Sequence, residues 1–208
     1  ARPDDFRVVD RIDSRDAGGC RARLDAHPDA VVVDFSLAAA VPALLEIMDG
    51  RSNPLVSGTT GLGDTERRGL SNRASKAAVV WAPNMGLGIP LLARLVREAM
   101  ALVPDAQVAI VETHHRHKKD RPSGTALYLA EAAGGSVDMH SLRIGEVVGE
   151  HRLELAFGEE RLTFTHQALS RDVFADGALA AARFAAGATA GLYDMEAVLA
   201  GLAGRSSR

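Results

Sequence analysis

Val31-Val32-Val33-Asp34-Phe35-Ser36 is a β-branched run that stops in a polar turn. It has no apolar/polar alternation, so it predicts a strand buried on both faces, as in a parallel sheet. The same pattern returns twice. Pro54-Leu55-Val56-Ser57 runs into Gly58-Thr59-Thr60-Gly61, and Ala77 to Trp81 runs into Ala82-Pro83-Asn84-Met85. Between these runs lie two stretches with helical character. Leu37 to Met48 has apolar residues at helical spacing, and Asp64 to Ser75 is polar-faced. Asp5 to Ile12, centred on Val8 and Val9, predicts one further strand ahead of them. Strands alternating with helices argue a Rossmann-like, doubly wound parallel α/β sheet.

The texture changes after Met85. Ile89 to Val103 is amphipathic, with Pro90 tolerated in its first turn. Gln107 to Thr113 predicts a strand, and Ser123-Gly124-Thr125 opens a helix to about Ala133. Met139 to Ile144, Arg152 to Phe157 and Arg161 to Ala168 predict three more strands. The last two, joined at Gly158-Glu159-Glu160, form an antiparallel hairpin. Phe174 to Phe184 and Met195 to Leu202 close the chain as helices. The expectation is a first domain over 1–84 and 174–208, which binds a dinucleotide. A second, α+β domain over 85–173 carries substrate binding and oligomerisation.

Composition narrows the function. Of 208 residues, 47% are hydrophobic and 25% charged, which is ordinary for a globular chain. With 4% aromatic residues and a net charge of −3, there is neither a stacking platform nor a basic footprint for nucleic acid. Cys20 is the single cysteine, so neither a disulfide framework nor a cysteine-rich zinc site is expected. No apolar run approaches the roughly 18 residues of a membrane-spanning helix. No membrane partner and a cytoplasmic setting are the expectations.

The densest chemistry is Glu112-Thr113-His114-His115-Arg116-His117-Lys118-Lys119-Asp120-Arg121-Pro122-Ser123-Gly124-Thr125. Every residue from His114 to Lys119 is able to carry positive charge, which suits an anionic substrate. The Ser123-Gly124-Thr125 turn offers backbone N–H groups and the positive end of a helix dipole to a carboxylate or phosphate. Lysine and histidine beside it are able to supply protons. Two other readings exist: a solvated charge run and an adventitious metal site. Neighbouring lysines argue against a metal, and none is expected. The turns at Asp34-Phe35-Ser36, Gly58 to Gly61 and Ala82 to Met85 follow parallel strands, where open sheets of this kind place a ligand crevice.

These residues resemble the dihydrodipicolinate reductase family. Its central signature, Glu-x-His-His-x-x-Lys-x-Asp-x-Pro-Ser-Gly-Thr, is matched by Glu112, His114, His115, Lys118, Asp120, Pro122, Ser123, Gly124 and Thr125. The three turns match its nucleotide domain. Gly149-Glu150-His151, His166-x-Ala168-x-Ser170-Arg171, Phe174-Ala175-x-Gly177-Ala178 and Gly191-Leu192-Tyr193-x-Met195 match its distal half. The likeness runs from about residue 6 to residue 202. Arg121 stands where the family usually has alanine, and Gly86 where it usually has serine. The family's opening Gly-x-x-Gly-x-Met-Gly turn is not found, and the chain starts at Ala1. The resemblance therefore predicts that a first strand and helix, roughly 30 residues, are missing, and that the chain as given binds cofactor weakly and is a weak or inactive reductase.

What the resemblance implies is hydride transfer from NADH or NADPH to 4-hydroxy-tetrahydrodipicolinate, a dicarboxylate of diaminopimelate and lysine synthesis. His114 and Lys118 take the catalytic roles, acid/base residue and proton donor. His115, Ser123, Gly124 and Thr125 bind substrate. Asp13, Gly58, Thr59, Thr60, Ala82, Pro83, Asn84 and Met85 bind cofactor, Asp13 through an adenosine ribose hydroxyl. Arg11 and Arg15 flank Asp13 and would suit a 2′-phosphate, so cofactor preference stays open. Glu112 orients the loop, and His140, His151 and His166 are structural. A homotetramer is implied. Two rivals are a non-catalytic substrate-binding remnant and another two-domain NAD(P)-dependent oxidoreductase.

Overall fold

Three short parallel strands lie side by side because their side chains are apolar on both faces. They are β1 (Val32–Asp34), β2 (Leu55–Ser57) and β3 (Ala78–Trp81). Leu55, Val56, Val79 and Val80 are fully buried. The computed structural model describes residues 6–12 and 16–203. These divide into two units, one up to Met85 and from Phe174 onward, the other Gly86–Val173.

In the first unit the strand order is β1-β2-β3-β8, all parallel, with β8 spanning Gly191–Tyr193. The helices are α1 (Ala17–Ala26), α2 (Val41–Ile47), α3 (Asp64–Ala74), α6 (Asp172–Ala185) and α7 (Met195–Ala203). Cys20, Leu24, Leu44, Ile47 and Leu70 close over the sheet with Leu55 and Val79. The strand expected over Asp5 to Ile12 does not form in the described residues 6–12, and Val8 is largely exposed. A strand needs a hydrogen-bonded neighbour, and β1 is the edge of the described sheet. The single helix expected from Leu37 to Met48 divides into a 3₁₀ turn, Ala38–Ala40, and α2. Pro42 has no N–H to donate, so it fits only a helix's first turn, and the α-helix starts afresh at Val41.

In the second unit the order is β5-β4-β6-β7, with β4 (Gln107–His114), β5 (Asp138–Arg143), β6 (Gly149–Phe157) and β7 (Glu160–Ala168). β4 and β5 are parallel and joined through α5 (Gly124–Ala132); β6 and β7 are an antiparallel hairpin beside β4. Helix α4 (Gly88–Leu102) buries Ile89, Leu92, Ala93 and Val96, an i, i+3, i+4, i+7 stripe. It packs with Val108, Ile110, Leu129, Leu153 and Leu155 into a second core. Among the described residues no helix is long and apolar enough to cross a membrane.

Candidate active site

Strand β4 buries every second residue: Val108, Ile110, Glu112 and His114. The first two fill the core. The next two extend the same inward face, so alternation carries a carboxylate and an imidazole into the protein. Glu112 is fully buried and accepts both arms of the Arg143 guanidinium, at 2.9 Å from Nη1 and 2.7 Å from Nη2. Arg143 ends β5 directly opposite His114 in the ladder, and its side chain is 2% exposed. A third bond reaches Glu112 from the Ser123 N–H, at 3.3 Å. Burial pushes the Glu112 carboxyl up, but hydrogen bonds from Arg143, Ser141 and His114 outweigh it and hold the pKa at about 2.

His114 meets the Glu112 carboxylate through Nδ1 in a short contact. With Nδ1–H donating, the other ring nitrogen, Nε2, is left as the acceptor. Burial lowers the His114 pKa, against the opposing pull of Glu112, so the ring is held neutral. Gly149 on β6 makes room for it: a Cβ there would lie 3.1 Å from His114 Nε2. His151 packs edge-on against the same ring, with centroids 5.2 Å apart. Its Nε2 lies 3.4 Å from the Ser123 hydroxyl. Burial, and then the neighbouring His114, lower the His151 pKa to about 3.

After His114 the chain turns on backbone bonds. Ile144 N–H donates to the His114 carbonyl at 3.0 Å, and Arg116 N–H to the Gly145 carbonyl at 3.1 Å. Lys118 is one-quarter exposed and pairs with Asp120 at 2.9 Å. Burial raises the Asp120 pKa, but Lys118 and then the Gly124 N–H bring it below the usual range. Arg143 also donates to the carbonyls of Lys118, at 3.2 Å, and of Asp120. Ser123 is buried and caps α5 through its hydroxyl, which accepts from Ala126 N–H at 3.2 Å. Gly124 is exposed, with open space where a Cβ would stand; Thr125 and His115 are half-buried. His114, His115, Lys118, Ser123, Gly124 and Thr125 thus belong to one strand end and the turn into α5. Among the described residues no cluster of three or more His, Cys, Asp or Glu side chains suits a metal.

The first unit ties its three strand-end turns together. Asp34 is buried and accepts from the hydroxyls of Ser57, at 2.8 Å, and Thr59, at 2.7 Å. Gly58 N–H donates to the Asp34 carbonyl at 2.9 Å, and Ala82 N–H to the Ser57 carbonyl at 3.2 Å. A Cβ at Gly58 would strike the half-exposed Phe35 ring, so backbone and ring lie in contact. Thr60 and Pro83 are exposed, Gly58 and Asn84 half-buried, and Thr59, Ala82 and Met85 buried. The Thr59 hydroxyl is committed to Asp34, its N–H donates to the Ser57 hydroxyl at 3.3 Å and its carbonyl accepts from Trp81 Nε1 at 3.1 Å, so Thr59 braces the turn. A cavity of about 530 Å³ runs along β1 and is lined in part by Arg11, Arg23, Asp34, Phe35 and Ser36. Glycine backbone beside an exposed ring, and a cavity of mixed lining in which Val31, Val32 and Val33 stand beside Arg11 and Asp34, fit a flat, extended nucleotide. Asp13 and Arg15 lie outside the described residues.

Two family models match in sequence. Dihydrodipicolinate reductase, C-terminus, covers residues 88–199, and dihydrodipicolinate reductase, N-terminus, covers residues 12–85. The chain belongs to the dihydrodipicolinate reductase family. These are oxidoreductases that draw hydride from NADH or NADPH. The 4-hydroxy-tetrahydrodipicolinate reductase of Xanthomonas euvesicatoria pv. vesicatoria (strain 85-10) is 45% identical over 166 residues, 78% of this chain and 70% of that protein. The enzyme of the same name from Zymomonas mobilis subsp. mobilis is 40% identical over 199 residues, 84% of this chain and 78% of that one. A dipicolinate-bound dihydrodipicolinate reductase from Paenisporosarcina sp. TG-14 shares the fold. Its TM-score is 0.72 at 20% identity, with 83% of this chain and 74% of that chain covered.

Arg143 carries no family signature in the sequence, and Gly149 and His151, matched there only as part of a distal motif, lie against His114. A signal for Arg143 existed: it falls on the same face of β5 as Met139 and Ser141. A lone arginine in a strand reads as solvated until the β4–β5 register is known. Of the surface charges, Arg116 meets Glu146 at 3.1 Å and His140 meets Asp138 at 3.3 Å, both exposed.

Proposed function

We propose that this chain reduces 4-hydroxy-tetrahydrodipicolinate to tetrahydrodipicolinate, with His114 and Lys118 handling protons. The observation that carries this reading is the junction of β4 and α5. There a neutral, oriented imidazole, a lysine paired with Asp120 and the capped N-terminus of α5 belong to one hydrogen-bonded segment.

When bound, the nicotinamide supplies the hydride. The chain's own residues do the rest. Gly124 and Thr125 bind one substrate carboxylate, which takes the place of Asp120 at the Gly124 N–H, with Ser123 holding the turn in place through its cap. Lys118 adds positive charge for the dianion, and the His115 ring adds an N–H donor. Lys118 Nζ, paired with Asp120, gives the proton that the reduced substrate requires. The substrate's 4-hydroxyl leaves as water with loss of a proton from the neighbouring carbon, which His114, with Nε2 as acceptor, takes; hydride addition then calls for a proton back at that carbon, the one that Lys118 gives. On the nucleotide side, backbone at Gly58 to Thr60 and Ala82 to Met85 hold the nicotinamide half, and Asp13 the adenosine ribose. The first unit is the dinucleotide domain and the second the substrate domain.

A homotetramer assembled through the second sheet is part of this reading. Its support is the edge strand β7, with apolar Leu162 on it and Leu169 just past its end open to solvent. A cytoplasmic location fits the lone cysteine. The direct test is nucleotide oxidation by the purified protein with freshly generated 4-hydroxy-tetrahydrodipicolinate. Substrate-dependent oxidation of NADH or NADPH is expected. Binding of dipicolinate with no turnover of either nucleotide would overturn the proposal in favour of a substrate-binding remnant.

A further inference from the structure

We infer that Arg143 is a positioning residue that sets both proton-handling groups at once, His114 through Glu112 and Lys118 through the loop backbone. This rests on the functional reading above. Five donations leave one side chain: two to the Glu112 carboxylate, and one each to the carbonyls of Lys118, Asp120 and Leu142. Lysine has no comparable reach, because its donors radiate from a single atom. The guanidinium fork fixes the Glu112 carboxylate in plane, and that carboxylate fixes which His114 nitrogen carries hydrogen. The same fork holds the turn from which the Lys118 side chain starts.

The charges around His114 give the role a measurable sign. Glu112 lies beside it on β4, Arg143 on β5, His151 on β6 with His166 beyond it on β7, and Lys118 on the following loop. Glu112 favours the imidazolium, while burial, Lys118 and Arg143 disfavour it. Without Arg143 the buried carboxylate loses its two charged donors and keeps only the Ser123 N–H and Ser141, so its pull on a His114 proton strengthens. Removing Arg143 should therefore raise the His114 pKa and free the ring to change tautomer.

The test combines kinetics with ¹⁵N-histidine NMR on the intact protein. Arg143→Ala should lower kcat on the order of 100-fold, the scale of a misplacement of about 1 Å, with a smaller change in KM. Added guanidinium should restore part of the rate, and Arg143→Lys should stay impaired. The His114 titration should move to higher pH in both variants. Glu112→Gln/Arg143→Met removes both buried charges and keeps the volume, so it reads the role even if Arg143→Ala fails to fold. It should fold yet remain slow. Wild-type rate in that double variant would mean that Arg143 merely neutralises Glu112, and would overturn the inference. So would an unmoved His114 titration in Arg143→Lys, or normal kcat in any single variant. Absence of turnover by the wild type refutes the proposed function instead, and leaves the NMR result to judge Arg143.

Discussion

Each unit of the protein buries an arginine, and the two do different work. Arg73, on α3, donates only to backbone carbonyls: Met48 at 3.1 Å, Arg51 and Asn53. Burial lowers its pKa, and no carboxylate bonds to it among the described residues. It is a clip that satisfies the end of α2 and the strand entry, together with Asn53. The Asn53 amide donates to the carbonyls of His27, Pro28 and Ala30. Arg143 also takes carbonyls, but its strongest partner is a carboxylate that touches a histidine. An arginine that bonds only carbonyls fixes the path of the chain. One that bonds a carboxylate in contact with a titratable ring also fixes where a proton resides.

The comparison is sharpened first on the loop that Arg143 holds. Lys118→Ala should lower kcat about 10²–10⁴-fold, the range of general acid catalysis, while the melting temperature stays close to wild type. His114→Ala should match it. Near-normal kcat in both, by steady-state kinetics, would return this loop to a solvated charge run. Arg73→Met should do the reverse. It leaves buried carbonyls without a donor, each costing about 1–3 kcal/mol, so the first unit should lose about 3 kcal/mol in urea unfolding followed by Trp81 fluorescence. Activity per folded molecule should hold. Catalytic loss without destabilisation would break the distinction between the two arginines.

Acid separates the units more gently. His151 has a pKa lowered to about 3 by burial, whereas an unfolded histidine titrates near 6.5. Between those values the unfolded chain binds more protons, so stability falls as pH drops from about 6.5 toward about 3. The slope from this one group is at most about 1.4 kcal/mol per pH unit. Glu112, lowered from 4.5 to about 2, adds to the loss in its own lower window. In the first unit Asp25 and Asp49 are lowered too, but they are exposed and screened. Urea midpoints read from second-unit histidine signals should therefore fall between pH 7 and pH 5 faster than those read from Trp81. Equal slopes would contradict the neutral, buried His151.

The sequence reveals most where residue type and local structure agree. The β1, β2 and β3 runs are β-branched or apolar and end in polar turns, so their strands and parallel sense were readable. Helix α1 was not: it contains Gly18 and Gly19 and several charges, and buries Cys20 and Leu24, a single turn apart. Strand β8 is three residues long and exists only because β3 lies beside it. At the candidate site, the residues from His114 to Thr125 were legible because they are contiguous. Arg143 was not, because its meaning depends on a ladder that sets it opposite His114, 29 positions away in the chain.

The central claim is that the β4–α5 junction recognises a paired carboxylate. Calorimetric titration of the protein with pyridine-2,6-dicarboxylate and with pyridine-2-carboxylate, at fixed ionic strength, tests it most directly. The dicarboxylate should bind at least about tenfold tighter, since a monocarboxylate leaves one set of donors unpaired. This binding should also weaken with added salt and in Lys118→Ala. Equal affinity for the two compounds, unchanged by Lys118→Ala, would contradict paired-carboxylate recognition.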